Sequence, residues 1–192
     1  MTNNKISDKE AMEAVKTLIS WIGDDPTREG LIETPKRVIS AYKEFFSGYN
    51  ISTKDVLGKV FEEVSNYDEM VIVRDIRLES HCEHHMVPII GKIHIGYIPN
   101  KKVVGISKLA RLADIYAKRL QTQETMTAQI ANDLQTILEP KGVAVLCDAA
   151  HQCMTTRGVH KINSSTITTQ MTGAFKDDYR KREEFLRLIK LG

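Results

Sequence analysis

Two short clusters of histidine and cysteine constrain the fold of this chain more than any other feature of its sequence. The first is the run Ser80-His81-Cys82-Glu83-His84-His85, in which Cys82 and His85 stand three positions apart. The second is His151-Gln152-Cys153, whose offset of two would place imidazole and sulfur on the same side of an extended segment. Together they contain four of the six histidines and two of the three cysteines. We therefore expect a fold that brings the clusters together as two halves of one metal site.

The residue types in these clusters favour a catalytic zinc site over a structural one. Cys82, His85 and Cys153 supply three ligands and leave the fourth tetrahedral position open, where a bound water has a pKa of about 7. A structural site would use four protein ligands and would need no spare imidazole such as that of His84 or His151. The competing interpretation is that Cys-x-x-His pairs arise by chance and that a free cysteine is simply a small buried hydrophobe.

The length and composition of the chain restrict the classes of function. A chain of 192 residues with a net charge of +2 does not suggest a general nucleic-acid surface, but it permits a local basic pocket for a small anion. No apolar run reaches about 18 residues, the length of a membrane span, and no secretory leader precedes the first helix. Three widely spaced cysteines predict no disulfide framework, and Cys147, in an apolar run, is expected to be buried. We therefore expect a cytoplasmic protein with no membrane partner and no nucleic-acid partner.

Helical patterns fill the first part of the chain, which we expect to form an N-terminal helical extension over residues 1–65. Ser7 and Glu10 have the spacing of a capping box in front of an amphipathic helix. A second helix is predicted to begin at Thr34, as its cap. The remaining residues, 66–192, are expected to form one catalytic domain.

From about residue 70 the sequence alternates between strand and helix patterns. The predicted elements are strands at 70–78 and 89–98, helices at 107–123 and 127–138, strands at 143–149 and 164–172, and a final helix at 179–190. This order predicts an α+β fold in which an open sheet of two antiparallel strand pairs is backed by a helix pair. The first cluster then lies at the turn between two strands, and the second lies at a strand end. Because such a sheet exposes strand edges, we expect a ring-like homo-oligomer that pairs them between subunits.

Basic residues near a helix start predict a binding site for phosphate. Ser107 and Lys108, with Arg111 one turn later, combine two cations with the unpaired N–H groups of a helix N-terminus. Arg157, four positions after Cys153, brings another cation close to the predicted metal site. The alternative is that Lys108 and Arg111 belong to an ordinary solvated helix face.

Gln123 and Glu124 lie where the two predicted helices meet. An amide and a carboxylate at this position could accept hydrogen bonds from the N1–H group and the exocyclic amine of a base. A surface pair at a helix end would have the same sequence, so both interpretations remain open.

Several of these motifs, taken together, resemble the GTP cyclohydrolase I family in order and spacing. The matching segments are Cys82-Glu83-His84-His85, Gly105-Ile106-Ser107-Lys108 with Arg111, Leu120-Gln121-Thr122-Gln123-Glu124, and His151-Gln152-Cys153-Met154 with Arg157-Gly158. Glu33-Thr34-Pro35-Lys36-Arg37 and Phe46-Ser47-Gly48-Tyr49 extend the similarity over nearly the whole chain. The resemblance implies a tunnelling fold and toroidal decamers. It also implies conversion of GTP and water to 7,8-dihydroneopterin triphosphate and formate, with Zn²⁺ as the cofactor.

The resemblance also implies a role for each matched residue. The zinc ligands would be Cys82, His85 and Cys153. His151 and His84 would transfer protons, and Ser107 would lie near the ribose. Gln123 and Glu124 would hold the guanine edge, while the triphosphate would be bound by Lys108, Arg111 and Arg157.

Two other classes of protein compete with this interpretation. The related tunnelling-fold nitrile reductases act on a purine-like substrate with a cysteine nucleophile and a nicotinamide cofactor, but they lack this metal set. A non-enzymatic module stabilised by zinc would need four closed ligands, and it would leave His84 and His151 without a role.

Overall fold

The structure is a computed structural model that describes residues 6–58, 60–61 and 67–190. It contains two compact units, one that ends at Ser47 and a larger one that begins at Gly48. The predicted boundary between residues 65 and 66 lies outside the described residues.

The N-terminal unit contains helix α1 (Asp8–Trp21) and helix α2 (Thr34–Phe45). The predicted capping box is confirmed, because Ser7 Oγ accepts from the Glu10 N–H at 3.3 Å and the Glu10 carboxylate accepts from the Ser7 N–H at 2.8 Å. The prediction that Thr34 caps α2 is wrong by one residue. Glu33 is the N-cap and makes no side-chain capping bond, so Thr34 is already helical.

The larger unit is a mixture of α and β elements, as predicted. After a short 3-10 helix at Ser47–Asn50, its elements are α3 (Thr53–Leu57), β1 (Val71–Cys82), β2 (Pro88–Ile98), α4 (Ile106–Ala117), β3 (Leu120–Gln121), α5 (Gln123–Leu138), β4 (Gly142–His151), α6 (Gln152–Thr155), β5 (Thr166–Met171), α7 (Ala174–Asp177) and α8 (Tyr179–Ile189). None of the helices in the described ranges is both long enough and apolar enough to cross a membrane.

In the described part of this unit, one five-stranded sheet has the order β3-β1-β2-β4-β5. The two predicted strand pairs are present, since β1 pairs with β2 and β4 pairs with β5, both antiparallel. An antiparallel pairing of β2 with β4 joins them, and its register sets Ile89 opposite His151. Because Pro88 opens β2 and His151 closes β4, this register brings the end of β4 beside the turn that connects β1 to β2.

The helix pair differs from the prediction at its centre. The helix predicted over 107–123 ends at Ala117, and Leu120 and Gln121 instead pair in parallel with His81 and Cys82 at the end of β1. The second helix begins at Gln123, four residues before the predicted start, because the Thr122 side chain caps it by accepting from the Thr125 N–H at 3.2 Å. The pairing of β3 with β1 brings the start of α5 close to the end of β1.

Each face of the sheet packs against helices. Alternate residues of β2, such as Ile93 and Ile95, contribute to a core with α4 and α5 on one face. The opposite face places Leu146 against Phe175 and Phe185 of α7 and α8. The strand ends that carry the histidine and cysteine clusters are therefore held by a sheet that is packed on both sides.

Candidate metal centre

The end of β1 forms a tight turn that brings His85 back toward Cys82. The carbonyl oxygen of Cys82 accepts from the Met86 N–H at 2.8 Å, and the Cys82 N–H donates to the Val87 carbonyl at 2.9 Å. Met86 adopts a left-handed backbone conformation with φ of 56°, which lets the chain reverse over so few residues. As a result, Cys82 Sγ lies 3.8 Å from His85 Nδ1 and 3.9 Å from His84 Nδ1.

The short strand β3 holds this turn from the other side. The Glu83 N–H donates to the Gln121 carbonyl at 3.1 Å, next to the parallel register of Cys82 with Gln121. Sequence patterns missed this contact, because two residues are too few to show a strand period. The first residues after β3 therefore lie close to the turn formed by residues 82–86, which we call the metal turn.

Cys153 reaches the same place from the end of β4. We expected an extended segment at 151–153, but β4 ends at His151 and Cys153 lies in the first turn of α6. Among the described residues, the ligand atoms of Cys82, His85 and Cys153 lie within 4.8 Å of one another, and they form the group suited to a metal ion. The predicted convergence of the two clusters is therefore present in the structure.

The spacing of these atoms suits zinc. With Zn–S of about 2.3 Å and Zn–N of about 2.0–2.1 Å, tetrahedral angles put a sulfur and a nitrogen ligand about 3.6 Å apart. The 3.8 Å between Cys82 Sγ and His85 Nδ1 is close to that value. One imidazole and two thiols form a set that selects zinc over calcium or magnesium, which prefer oxygen ligands.

Cys153 and Cys147 lie in different electrostatic environments. Burial, followed by the nearby Cys82 sulfur, raises the pKa of the Cys153 thiol, because two adjacent thiolates repel without a cation. Cys147 is fully buried on β4, as predicted, and burial raises the pKa of its thiol to about 12. A thiol in that environment is inert, whereas a cation beside Cys153 would favour its thiolate.

A protein cation already lies beside this group. Arg157 Nη1 donates to His85 Nε2 at 3.0 Å. The prediction that Arg157 lies close to the metal residues is therefore supported by direct contact. His84 is also exposed, and its Nε2 lies 3.7 Å from the Glu83 carboxylate.

His151 is held by the residue that we expected at the guanine edge. Its Nε2 lies 2.8 Å from Gln123 Oε1, and the Gln123 Nε2 is bonded to strands β4 and β5. Gln123 is 1% exposed, so the structure favours a role in holding the His151 ring over direct contact with a base. Burial lowers the pKa of His151, while the charge of Glu124 opposes that shift. Glu124 itself is exposed in the first turn of α5.

The predicted phosphate residues lie at the start of α4. Gly105 is the N-cap of this helix, so Ser107 and Lys108 belong to its first turn and Arg111 to the next. Ser107 and Arg111 are exposed, and Lys108 is half-buried. The position at a helix N-terminus agrees with the predicted anion site, although these residues belong to a different element from the metal turn.

Comparisons with known proteins identify the family. The sequence model of the GTP cyclohydrolase I family matches residues 11–190. The chain belongs to this family. The GTP cyclohydrolase 1 of Maricaulis maris (strain MCS10) is 60% identical over 188 residues, which cover 98% of this chain and 92% of that protein. The enzyme of the same name from Pelagibacter ubique (strain HTCC1062) is 53% identical over 189 residues, with coverage of 98% and 94%.

Membership of the GTP cyclohydrolase I family confirms the resemblance inferred from the motifs. The family converts GTP to dihydroneopterin triphosphate in folate and pterin biosynthesis, and its members are metalloenzymes. Among solved structures, apo archaeosine synthase QueF-Like has a TM-score of 0.46 and 18% identity, and the match covers 54% of this chain and 93% of that one. A likeness of this size does not establish a shared fold, so the tunnelling fold remains a prediction.

Proposed function

We propose that this chain is a zinc-dependent hydrolase that converts GTP and water to 7,8-dihydroneopterin triphosphate and formate. One observation carries the proposal: Cys82, His85 and Cys153 converge within 4.8 Å although 71 positions separate the two cysteines. Three ligands of this kind leave room for a water or a substrate at a fourth position, which is typical of a catalytic zinc site.

The three convergent residues would hold the zinc ion. When bound there, zinc supplies the Lewis acidity that makes water a nucleophile near neutral pH. Arg157, which lies beside His85, adds positive charge where the substrate's phosphates must approach. We assign these roles because the donor atoms and their spacing fit the ion.

Two histidines beside the group supply proton transfer. His151 ends β4 two positions before Cys153, and its lowered pKa keeps it neutral, and able to accept a proton, near pH 7. His84 lies on the metal turn and is exposed, so it can exchange protons with both substrate and solvent. We assign the acid or base role beside the guanine N7 to His151. To His84 we assign proton transfer during ring opening and, mainly, in the later rearrangement of the ribose.

The remaining assigned residues would bind the substrate. Glu124 accepts from the guanine N1–H and 2-amino groups, as a carboxylate at this exposed position can do. Ser107 lies near the ribose, and the triphosphate is bound by Lys108, Arg111 and Arg157. Since α4 and the metal turn are separate elements, the substrate itself would bridge them.

The quaternary and cellular parts of the prediction belong to the same proposal. Strand β1 pairs through its outer edge only at His81 and Cys82 within the described ranges, and β5 forms the other edge. Such edges favour pairing between subunits, in agreement with a homo-oligomer and with the toroidal decamer that the resemblance implies. We further propose a tunnelling-fold catalytic domain over residues 66–192, a helical extension over 1–65, and a cytoplasmic location, where free cysteines remain available to zinc.

A coupled measurement of zinc, formate and pterin tests the function. The protein, loaded with zinc, is incubated with GTP. Formate is then assayed and the oxidised products are examined for pterin fluorescence. We expect one zinc per chain and equal amounts of formate and pterin. Absence of both products from a zinc-loaded protein would contradict the proposal.

Substitutions of the three cysteines test which of them bind zinc. Cys82→Ser and Cys153→Ser should lose zinc and turnover together, because a site with two remaining protein ligands binds zinc weakly. Cys147→Ala is the matched control, since Cys147 is buried on β4 outside the metal group and its removal should leave zinc content unchanged. Full zinc occupancy in Cys82→Ser or Cys153→Ser would remove that residue from the site.

A further inference from the structure

The side chain of Gln123 is buried at a junction of three elements. It begins α5 and is 1% exposed. Its amide nitrogen lies 3.2 Å from the Cys147 carbonyl of β4 and 2.8 Å from the Thr166 carbonyl of β5. Its amide oxygen lies 2.8 Å from Nε2 of His151. The side chain therefore connects the sheet to the proposed proton-transfer residue.

The neighbours of Gln123 determine which end of its amide faces His151. Two backbone carbonyls can only accept hydrogen bonds, so the group that faces them must be the NH₂ group. The opposite end is then the carbonyl oxygen, which can only accept. His151 Nε2 must consequently carry a proton and donate it to Gln123. A reversed amide would leave the two carbonyls facing an oxygen, whichever ring nitrogen of His151 carried the proton.

Two threonines prevent the amide from rotating. Thr127 Oγ1 donates to the Gln123 backbone carbonyl at 2.7 Å, which uses its single proton. Thr168 Oγ1 must therefore donate to Thr127 Oγ1, also at 2.7 Å, while it accepts from Gln123 Nε2 at 3.2 Å. The resulting closed ring of hydrogen bonds leaves the Gln123 amide one consistent orientation.

From this arrangement we propose that Gln123 is a positioning residue that holds the His151 ring with its proton on Nε2. The other ring nitrogen, Nδ1, then becomes the atom that exchanges a proton with the substrate. This inference rests on the proposed function, since it gives the proton-transfer role of His151 a fixed geometry. A third group that sets the orientation and tautomer of a catalytic imidazole contributes to the rate without contacting the substrate. Recognition of the guanine edge then rests on Glu124.

Kinetics of Gln123→Met separate positioning from substrate binding. Methionine keeps the size of the side chain but lacks the acceptor for His151. We expect kcat to fall about 10- to 100-fold with zinc content retained and KM changed by no more than about threefold. A rise in KM alone would overturn the proposal and return Gln123 to the guanine edge. Unchanged kinetics would overturn it as well.

Gln135→Met is the matched control on the same helix. Gln135 also connects a helix to other elements, because its Nε2 donates to the Pro140 carbonyl at 3.1 Å and its Oε1 accepts from Thr172 Oγ1 at 2.6 Å. It lies 12 positions, and hence about 18 Å, along α5 from Gln123. We expect kcat to remain at the wild-type value, and an equal fall in both variants would indicate a general loss of packing.

If Gln123→Met does not fold, two other measurements test the proposal: the kinetics of Gln123→Glu, and neutron diffraction that locates the proton on His151. A protonated glutamate can donate to the Thr166 carbonyl and accept from His151, so this variant should keep kcat within about tenfold of the wild type. A variant that folds and loses more would count against the proposal.

Neutron diffraction from deuterium-exchanged crystals without GTP should show a deuteron on His151 Nε2. A bare Nε2 would overturn the inference even if the enzyme were fully active, and a deuteron there would support it even if GTP were not the substrate.

Discussion

Removal of zinc in air should oxidise the metal site to a disulfide between Cys82 and Cys153. Their sulfur atoms belong to a group within 4.8 Å, so a movement of less than about 3 Å brings them to the S–S bond length of about 2.05 Å. Cys153 lies in the four-residue helix α6, and its side chain is half-buried. Oxygen would take up the two electrons and two protons that the thiols release.

The size of the effect follows from the loop that the bond closes. The two cysteines are 71 positions apart, and the chain-entropy relation for such a loop gives about 4 kcal/mol at 25 °C. For a protein of this length, that corresponds to a rise in Tm of about 10 °C relative to the reduced, metal-free protein. Strain in the bridge reduces this value, so it is an upper limit.

The assay counts thiols in the denatured protein. The reduced protein should show three thiols, and the oxidised protein should show one, which peptide mapping should assign to Cys147. Zinc should bind again only after a reductant is added. Cys153→Ser should neither form the internal bridge nor gain stability in air. Three remaining thiols after prolonged oxidation without metal, or a bridge that includes Cys147, would refute the proposed convergence of sulfur atoms.

The remaining predictions concern protons and base selection. His84→Ala and His151→Ala should keep zinc and fold but lose about 10²-fold or more in kcat. A ring-opened formamide should accumulate only in His84→Ala. Equal product profiles by chromatography would contradict this division of roles. Glu124→Ala should lower turnover of GTP further than Glu124→Gln. ATP should not react, since adenine would leave the Glu124 carboxylate without a donor and an unpaired acceptor costs about 1–3 kcal/mol. Normal GTP kinetics in Glu124→Ala would place base recognition elsewhere. Because the pKa of the Cys153 thiol is raised, zinc must displace its proton, so zinc affinity should increase with pH by about tenfold per unit for each proton released. Calorimetry in buffers of different ionisation enthalpy counts those protons, and affinity independent of pH would count against thiolate ligands.

Most of the helices and strands, and the candidate metal group, are indicated by local sequence. The capping box at Ser7 and Glu10 and the strand patterns around the first cluster involve neighbouring residues, so their structural consequences are visible in the sequence itself. The chemistry of Cys82, His85 and Cys153 restricts them in the same way, because few other roles require this combination of ligands.

Only the tertiary structure decided how these segments meet. The strand at Leu120–Gln121 exists because the end of β1 offers it backbone partners, and a two-residue strand has no period to recognise. Gln123 has the sequence of a helix-end residue, yet its amide connects His151 to β4 and β5 through partners 24 to 45 positions away. The sequence determined which chemical groups are present. The direction of each hydrogen bond made by the Gln123 amide is set by buried carbonyls that can only accept. Folding places those carbonyls, which are distant in sequence, beside Gln123.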